Sequence, residues 1–175
     1  SIQIKKPAGF YGATSLERMR RTNSLQDPTD FYTAPNYRTL VDNPILYALP
    51  DTANFTIGET RVTVAMYSTT GKKVSAEISE DIKPLLENQK AYLGGKLPVD
   101  HYTFILYHNE NPDQNSSLGD GLEHSNSTLI LMYMPFNPDM IKRNVYWIAS
   151  HEFFHTLIPL GLHSHEIKNY NFNDH

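Results

Sequence analysis

The segment His151-Glu152-Phe153-Phe154-His155 dictates its own local fold. Two histidines spaced four residues apart reach one point in space only if the backbone between them is helical. In that conformation both imidazoles can bind a single metal ion, and the carboxylate that follows the first histidine is placed to take a proton from water. The pattern therefore asks for a helix and a cleft beside it, and it points to metal-assisted hydrolysis.

The flanking residues draw that helix. Asn137 is a good N-cap, Pro138 suits the first helical position, and Asp139 puts negative charge in the first turn. Ile141, Val145, Ile148, Ala149, Phe154 and Leu157 trace one apolar stripe at helical period. Pro159 and Gly161 end the run. His151 and His155 thus fall near the C-terminal end of a mostly buried helix.

Zinc takes N and O ligands at tetrahedral sites, so a third protein ligand is expected. A glycine three residues and a histidine six residues past His155 would mark one zinc-peptidase class; those positions hold Ile158 and Gly161. Glu166 follows too closely for a second helix to have turned back, and Asp174, His163 and His165 are weak candidates. The expectation is that the third ligand lies beyond residue 175, in the remainder of a parent chain.

About 30 residues before the zinc motif stands Asp120-Gly121-Leu122-Glu123-His124, then Ser125-Asn126-Ser127-Thr128 and an apolar run, Leu129 to Met134, that reads as a strand beside the cleft. Gly-Leu-Glu-His with Asn-Ser-Thr, then His-Glu-Phe-Phe-His, resembles the glycyl aminopeptidase family of zinc metallopeptidases. These are gluzincin-type enzymes with a thermolysin-like catalytic domain, related to aminopeptidases that carry Gly-x-Met-Glu-Asn. Pro159 to Ser164 is similar to members of the family too, and Tyr37 to Asp51 resembles the join between its N-terminal β-domain and its catalytic domain.

The resemblance implies that His151 and His155 bind Zn2+, that Glu152 is the general base, and that Glu123 holds the free α-amine of a peptide substrate. A carboxylate suits that task, since it pairs with an ammonium and rejects a blocked N-terminus. Gly121 would let the backbone approach the substrate. Preference for small N-terminal residues (Gly or Ala) and export to the periplasm or surface of a bacterial cell are implied by the resemblance alone. The family's later glutamate ligand and its downstream transition-state stabiliser have no counterpart here. Two alternatives follow: a zinc endopeptidase in which Glu123 is structural, and a non-catalytic fragment with an incomplete metal site.

The remaining chain reads as α+β. Residues 1–50 are rich in Pro, Tyr, Asn, Asp and Arg and suggest the C-terminal remnant of a β-rich domain; residues 51–175 suggest the N-terminal part of a metallopeptidase catalytic domain, a mixed sheet plus the His-Glu-x-x-His helix. A strand over 61–68 and one over 102–108 are expected, with Asn109 to Asp120 as a polar loop. Between the strands, Ile78, Ile82, Leu85, Leu86, Tyr92 and Leu93 share one helical face, Pro84 falls in the first turns or kinks the helix, and Gly94-Gly95 closes it. Tyr107 and Tyr133 are candidates to face the cleft, and the strand ending near Met134 is the candidate edge for aligning a substrate by β-addition. A net charge of −4 gives no reason to expect nucleic acid, and Arg18, Arg20 and Arg21 read as a solvated basic face. No run of 18 apolar residues marks a transmembrane helix, and the absence of cysteine excludes thiolate zinc ligands, disulfides and a cysteine nucleophile.

Overall fold

The computed structural model describes residues 1–19, 28–49, 51–111 and 119–156. A mixed α+β fold results. The first third makes short strands: β1 (Ile2–Lys5), β2 (Tyr11–Ala13), β3 (Glu17–Arg18), β4 (Thr29–Thr33) and β5 (Leu46–Ala48). They form a three-stranded sheet in the order β1-β4-β3 and a β2-β5 pair. A short helix that the sequence reading missed, α1 (Tyr37–Val41), lies between β4 and β5; Asn36 caps it by accepting from the Thr39 amide at 2.8 Å.

Arg18 corrects the expectation of a solvated basic face. Its guanidinium donates to Asp30 at 3.1 Å and to the Tyr32 hydroxyl at 3.1 Å, and Asp30 is buried. A carboxylate removed from water needs such partners, and Arg18 and Lys6 supply them. Arg20 and Arg21 lie outside the described residues.

The larger unit is a five-stranded sheet of β6 (Thr52–Ile57), β7 (Thr60–Ser68), β8 (His101–Asn109), β9 (Gly119–His124) and β10 (Ser127–Tyr133), in the order β6-β7-β8-β10-β9. The three central strands run parallel, and the two edges are antiparallel. Helix α2 (Ser75–Tyr92) connects β7 to β8, and helix α3 (Pro138–Glu152) follows β10.

Period-two alternation decides which face each strand residue serves. Val62, Val64 and Met66 of β7, Phe104 and Leu106 of β8, and Ile130 and Met132 of β10 join one core with Ile78, Ile82 and Leu86 of α2 and Ile141, Val145 and Ala149 of α3. Both helices therefore cover the same face. Asp51 starts α2 by accepting from the Val74 amide at 3.2 Å and from the Ser75 hydroxyl. Pro84 sits at mid-helix rather than in the first turns, and its exposed position leaves the freed Glu80 carbonyl in water. Gly94 and Gly95, at φ of 83° and 97°, close the helix as expected, the Gly95 amide donating to Lys90 O at 2.9 Å.

Three placements differ from the sequence reading. Tyr92 is 81% exposed, not core, and meets Phe154 edge to face. Tyr107 and Tyr133 lie on the sheet face away from the helices, since their neighbours Leu106 and Met132 take the core side. There they form a row with Tyr67, ring centroids 5.7 and 6.4 Å apart. The edge strand is β9, not the strand ending near Met134: β10 is paired on both sides, and the Gly-Leu-Glu-His motif itself supplies the outer strand.

Candidate active site

Helix α3 begins as its sequence dictates. Asn137 accepts from the Met140 amide at 3.2 Å and Pro138 takes the first turn. The α-helix stops at Glu152 rather than continuing through Leu157, and Phe153–Thr156 tightens into a turn of 3-10 helix, a common way for an α-helix to end. The core row runs Ile141, Val145, Ala149, Phe153, four residues apart each time; Phe153, 1% exposed, takes the place expected for Phe154. Phe153 packs against Tyr102 with ring centroids 4.9 Å apart. This anchors the end of the helix on the sheet.

The two histidines remain together across the helix junction. Nε2 of His155 faces Nε2 of His151 at 3.1 Å. Ligand atoms of His151, Glu152 and His155 all lie within 4.8 Å of one another, the only such group among the described residues. His151 is exposed and His155 half-buried, so the group opens to solvent on one side.

The Glu152 carboxylate lies between the histidines and β9. It rests against the backbone of Gly121: a Cβ at that position would stand 2.9 Å from Glu152 Oε1 and 2.8 Å from Ile148 Cγ2. Only glycine leaves room for the carboxylate there. The structure thus gives Gly121 a contact that sequence reasoning did not foresee. Oε2 of Glu152 is buried with no hydrogen-bond partner among the described residues, 3.9 Å from His155 Nε2. Burial raises the pKa of Glu152; His151 and His155 oppose the rise, and the neighbouring Glu123 adds to it.

Glu123 comes from β9, in register opposite Thr128 of β10. Its Oε2 lies 3.3 Å from His155 Nε2, and its side chain is 38% exposed. Beneath it, the buried Tyr102 hydroxyl and Thr128 Oγ1 are 2.7 Å apart. Burial raises the Tyr102 phenol above its ordinary value, against the Thr128 hydrogen bond and with help from the charges of Glu152 and Glu123. Tyr102 stays protonated, a neutral floor under two carboxylates. Sequence reasoning missed Tyr102 and Thr128; their only signal was the alternation of two strands that it did not connect to the motif.

The donor set fits zinc on two counts. Two nitrogen ligands at about 2.0–2.1 Å from a tetrahedral ion stand about 3.3 Å apart, near the spacing of the two Nε2 atoms. A buried carboxylate oxygen without a donor, beside two imidazoles, is the group a cation or a polarised water satisfies. Glu166, Asp174, His163 and His165 lie outside the described residues.

Residues 1–49 match the model of the peptidase M61 N-terminal domain. The chain is also similar to a crystal structure of an aminopeptidase N family protein from Idiomarina loihiensis, at 22% identity and a TM-score of 0.62, over 85% of this chain and 25% of that one. It spans about a quarter of that protein's length. No curated protein matches the chain.

Proposed function

We propose that this chain carries the core of a zinc-dependent peptide hydrolase acting as an aminopeptidase on peptides with small N-terminal residues such as Gly or Ala. The observation that carries the reading is the convergence of His151, His155 and Glu152 with the exposed Glu123 carboxylate beside them. The match of residues 1–49 to a peptidase domain, and the aminopeptidase fold of the structural relative, support it.

His151 and His155 would hold the ion, with the remaining ligand coming from the rest of a parent chain. Zinc in that position supplies Lewis acidity, polarising a carbonyl and making water a better nucleophile near neutral pH. Glu152 takes the proton of the attacking water and delivers it to the leaving amine. Gly121 keeps the backbone out of the way of that carboxylate. Glu123 pairs with the substrate ammonium, so that cleavage removes one residue at a time.

Glu123 lies beside His155 but outside the group of ligand atoms within mutual reach, which suits an amine anchor next to the metal rather than a ligand on it. Glu123→Gln is expected to keep zinc and lose preference for a free N-terminus. The reading as a whole is tested by zinc content and by cleavage of alanine peptides with free and acetylated N-termini. Equal cleavage of both would indicate an endopeptidase; absence of zinc in a parent chain with both histidines intact would overturn the proposal.

A further inference from the structure

The turn between β9 and β10 is held from outside the sheet. Asp42 lies just past α1, where its own amide closes that helix on Arg38 O and Leu40 O. Its carboxylate reaches across to the turn: Oδ2 accepts from the Ser125 amide at 3.3 Å, and Oδ1 lies 3.4 Å from His124 Nδ1. Ser15, which follows β2, donates its hydroxyl to Asn126 O at 2.6 Å and sits 2.8 Å from Thr103 Oγ1. Asn126 in turn donates to His101 O at 3.1 Å. Three successive residues, the last of β9 and two of the turn, are therefore tied down: two of them by Asp42, 82 and 83 positions away, and the third by Ser15, 111 positions away.

These ties bear on Glu123. Adjacent residues of a strand point to opposite faces, so Glu123 faces α3 while His124 faces the first unit. β9 is an edge strand with one paired neighbour, and its roll about its own axis is set from one side by β10. A hold on His124 and Ser125 sets it from the other. We propose that Asp42 is a positioning residue: the β-unit of residues 1–49, through Asp42 and Ser15, fixes the direction in which Glu123 meets a substrate amine. This rests on the reading of Glu123 as the amine anchor. It makes the first unit a determinant of specificity, and not only a neighbour of the catalytic unit.

The experiment compares Asp42→Ala, Asp42→Asn and Ser15→Ala with the unaltered parent chain that supplies the remaining zinc ligand, using two readouts. The first is amide hydrogen exchange. Asp42→Ala is expected to speed exchange at Ser125 by about tenfold, as loss of a hydrogen bond to a charged group does, while amides of β8 and α3 keep their protection. Unchanged exchange at Ser125 overturns the clamp. The second is the ratio of affinities for glycinamide and N-acetylglycinamide with zinc present. Glu123→Gln is expected to abolish a preference for the free amine, Asp42→Ala to reduce it about fivefold or more, and Asp42→Asn, which keeps one acceptor oxygen, to fall between. A loosened turn with an unchanged ratio overturns the positioning role. No preference in the unaltered chain refutes the amine-anchor reading instead, and the exchange result still decides the clamp.

Discussion

The carboxylate of Glu152 occupies the space in which a side chain on Gly121 would begin. The helix that carries the proposed base and the strand that carries the proposed amine anchor approach closely here, with only a glycine on the strand side. Gly121→Ala must push Glu152, Ile148 or β9 aside. The expected result is a destabilisation of about 1–3 kcal/mol, the usual cost of overpacking. Peptide cleavage is expected to fall at least about tenfold while zinc stays bound, because neither histidine moves. Metal analysis beside a cleavage assay checks both halves.

His151→Ala and His155→Ala each remove one of two facing nitrogens. Either is expected to lose bound zinc, as read by elemental analysis after dialysis. Glu152→Gln is expected to keep the metal and lower cleavage by about 10²–10⁴-fold, the usual worth of a positioned base. Zinc lost from Glu152→Gln would place Glu152 among the ligands.

Phe153→Ala is expected to cost about 3–5 kcal/mol, since a fully buried ring packed on Tyr102 leaves a cavity. Phe154→Ala is expected to cost less than about 1 kcal/mol, its ring being 37% exposed. Denaturant unfolding of the two variants gives the comparison, and equal losses would contradict the helix end described above.

Asp42 makes stability depend on pH in a definite direction. Burial alone would raise its pKa, but the hydrogen bonds from His124 and Ser125 outweigh it and hold the carboxylate below its ordinary value. A group lowered in the folded state contributes stability above its unfolded pKa, and that contribution disappears as pH falls through the lower folded value. Between neutral pH and the acid range, Asp42→Asn is therefore expected to melt with a shallower loss of Tm than the unaltered chain. Identical slopes would show that Asp42 takes no part.

The start and body of the histidine helix were legible because their evidence is local: an N-cap, a period and a four-residue spacing all sit within twenty residues; its tightened end, which buries Phe153 in place of Phe154, was not. The glycine stop of α2 was legible for the same local reason. What escaped were features written in distant residues. Gly-Asp-Gly-Leu-Glu-His has too little β-branched character to read as a strand, and it becomes one because β10 offers an open edge. Arg18 looked like solvated surface until Asp30 and Tyr32, on another strand, gave it partners. Asp42 and Ser15 carry no local sign that they reach the turn after Glu123. Tyr107 and Tyr133 could only be candidates for the cleft side, because the parity of a strand is fixed only once its core neighbours are known; both fall on the opposite face.

The single tryptophan of the chain, Trp147, stands one helical turn before His151 and is 70% exposed. An indole so placed emits in a wet environment, close enough to the histidine pair to report on what happens there without a label. Docking of any further part of a parent protein on this end of α3 should shift its emission to the blue. A quenching ion such as Cu2+, bound by the two imidazoles, should dim it. The helix that presents the proposed chemistry thus carries its own optical gauge.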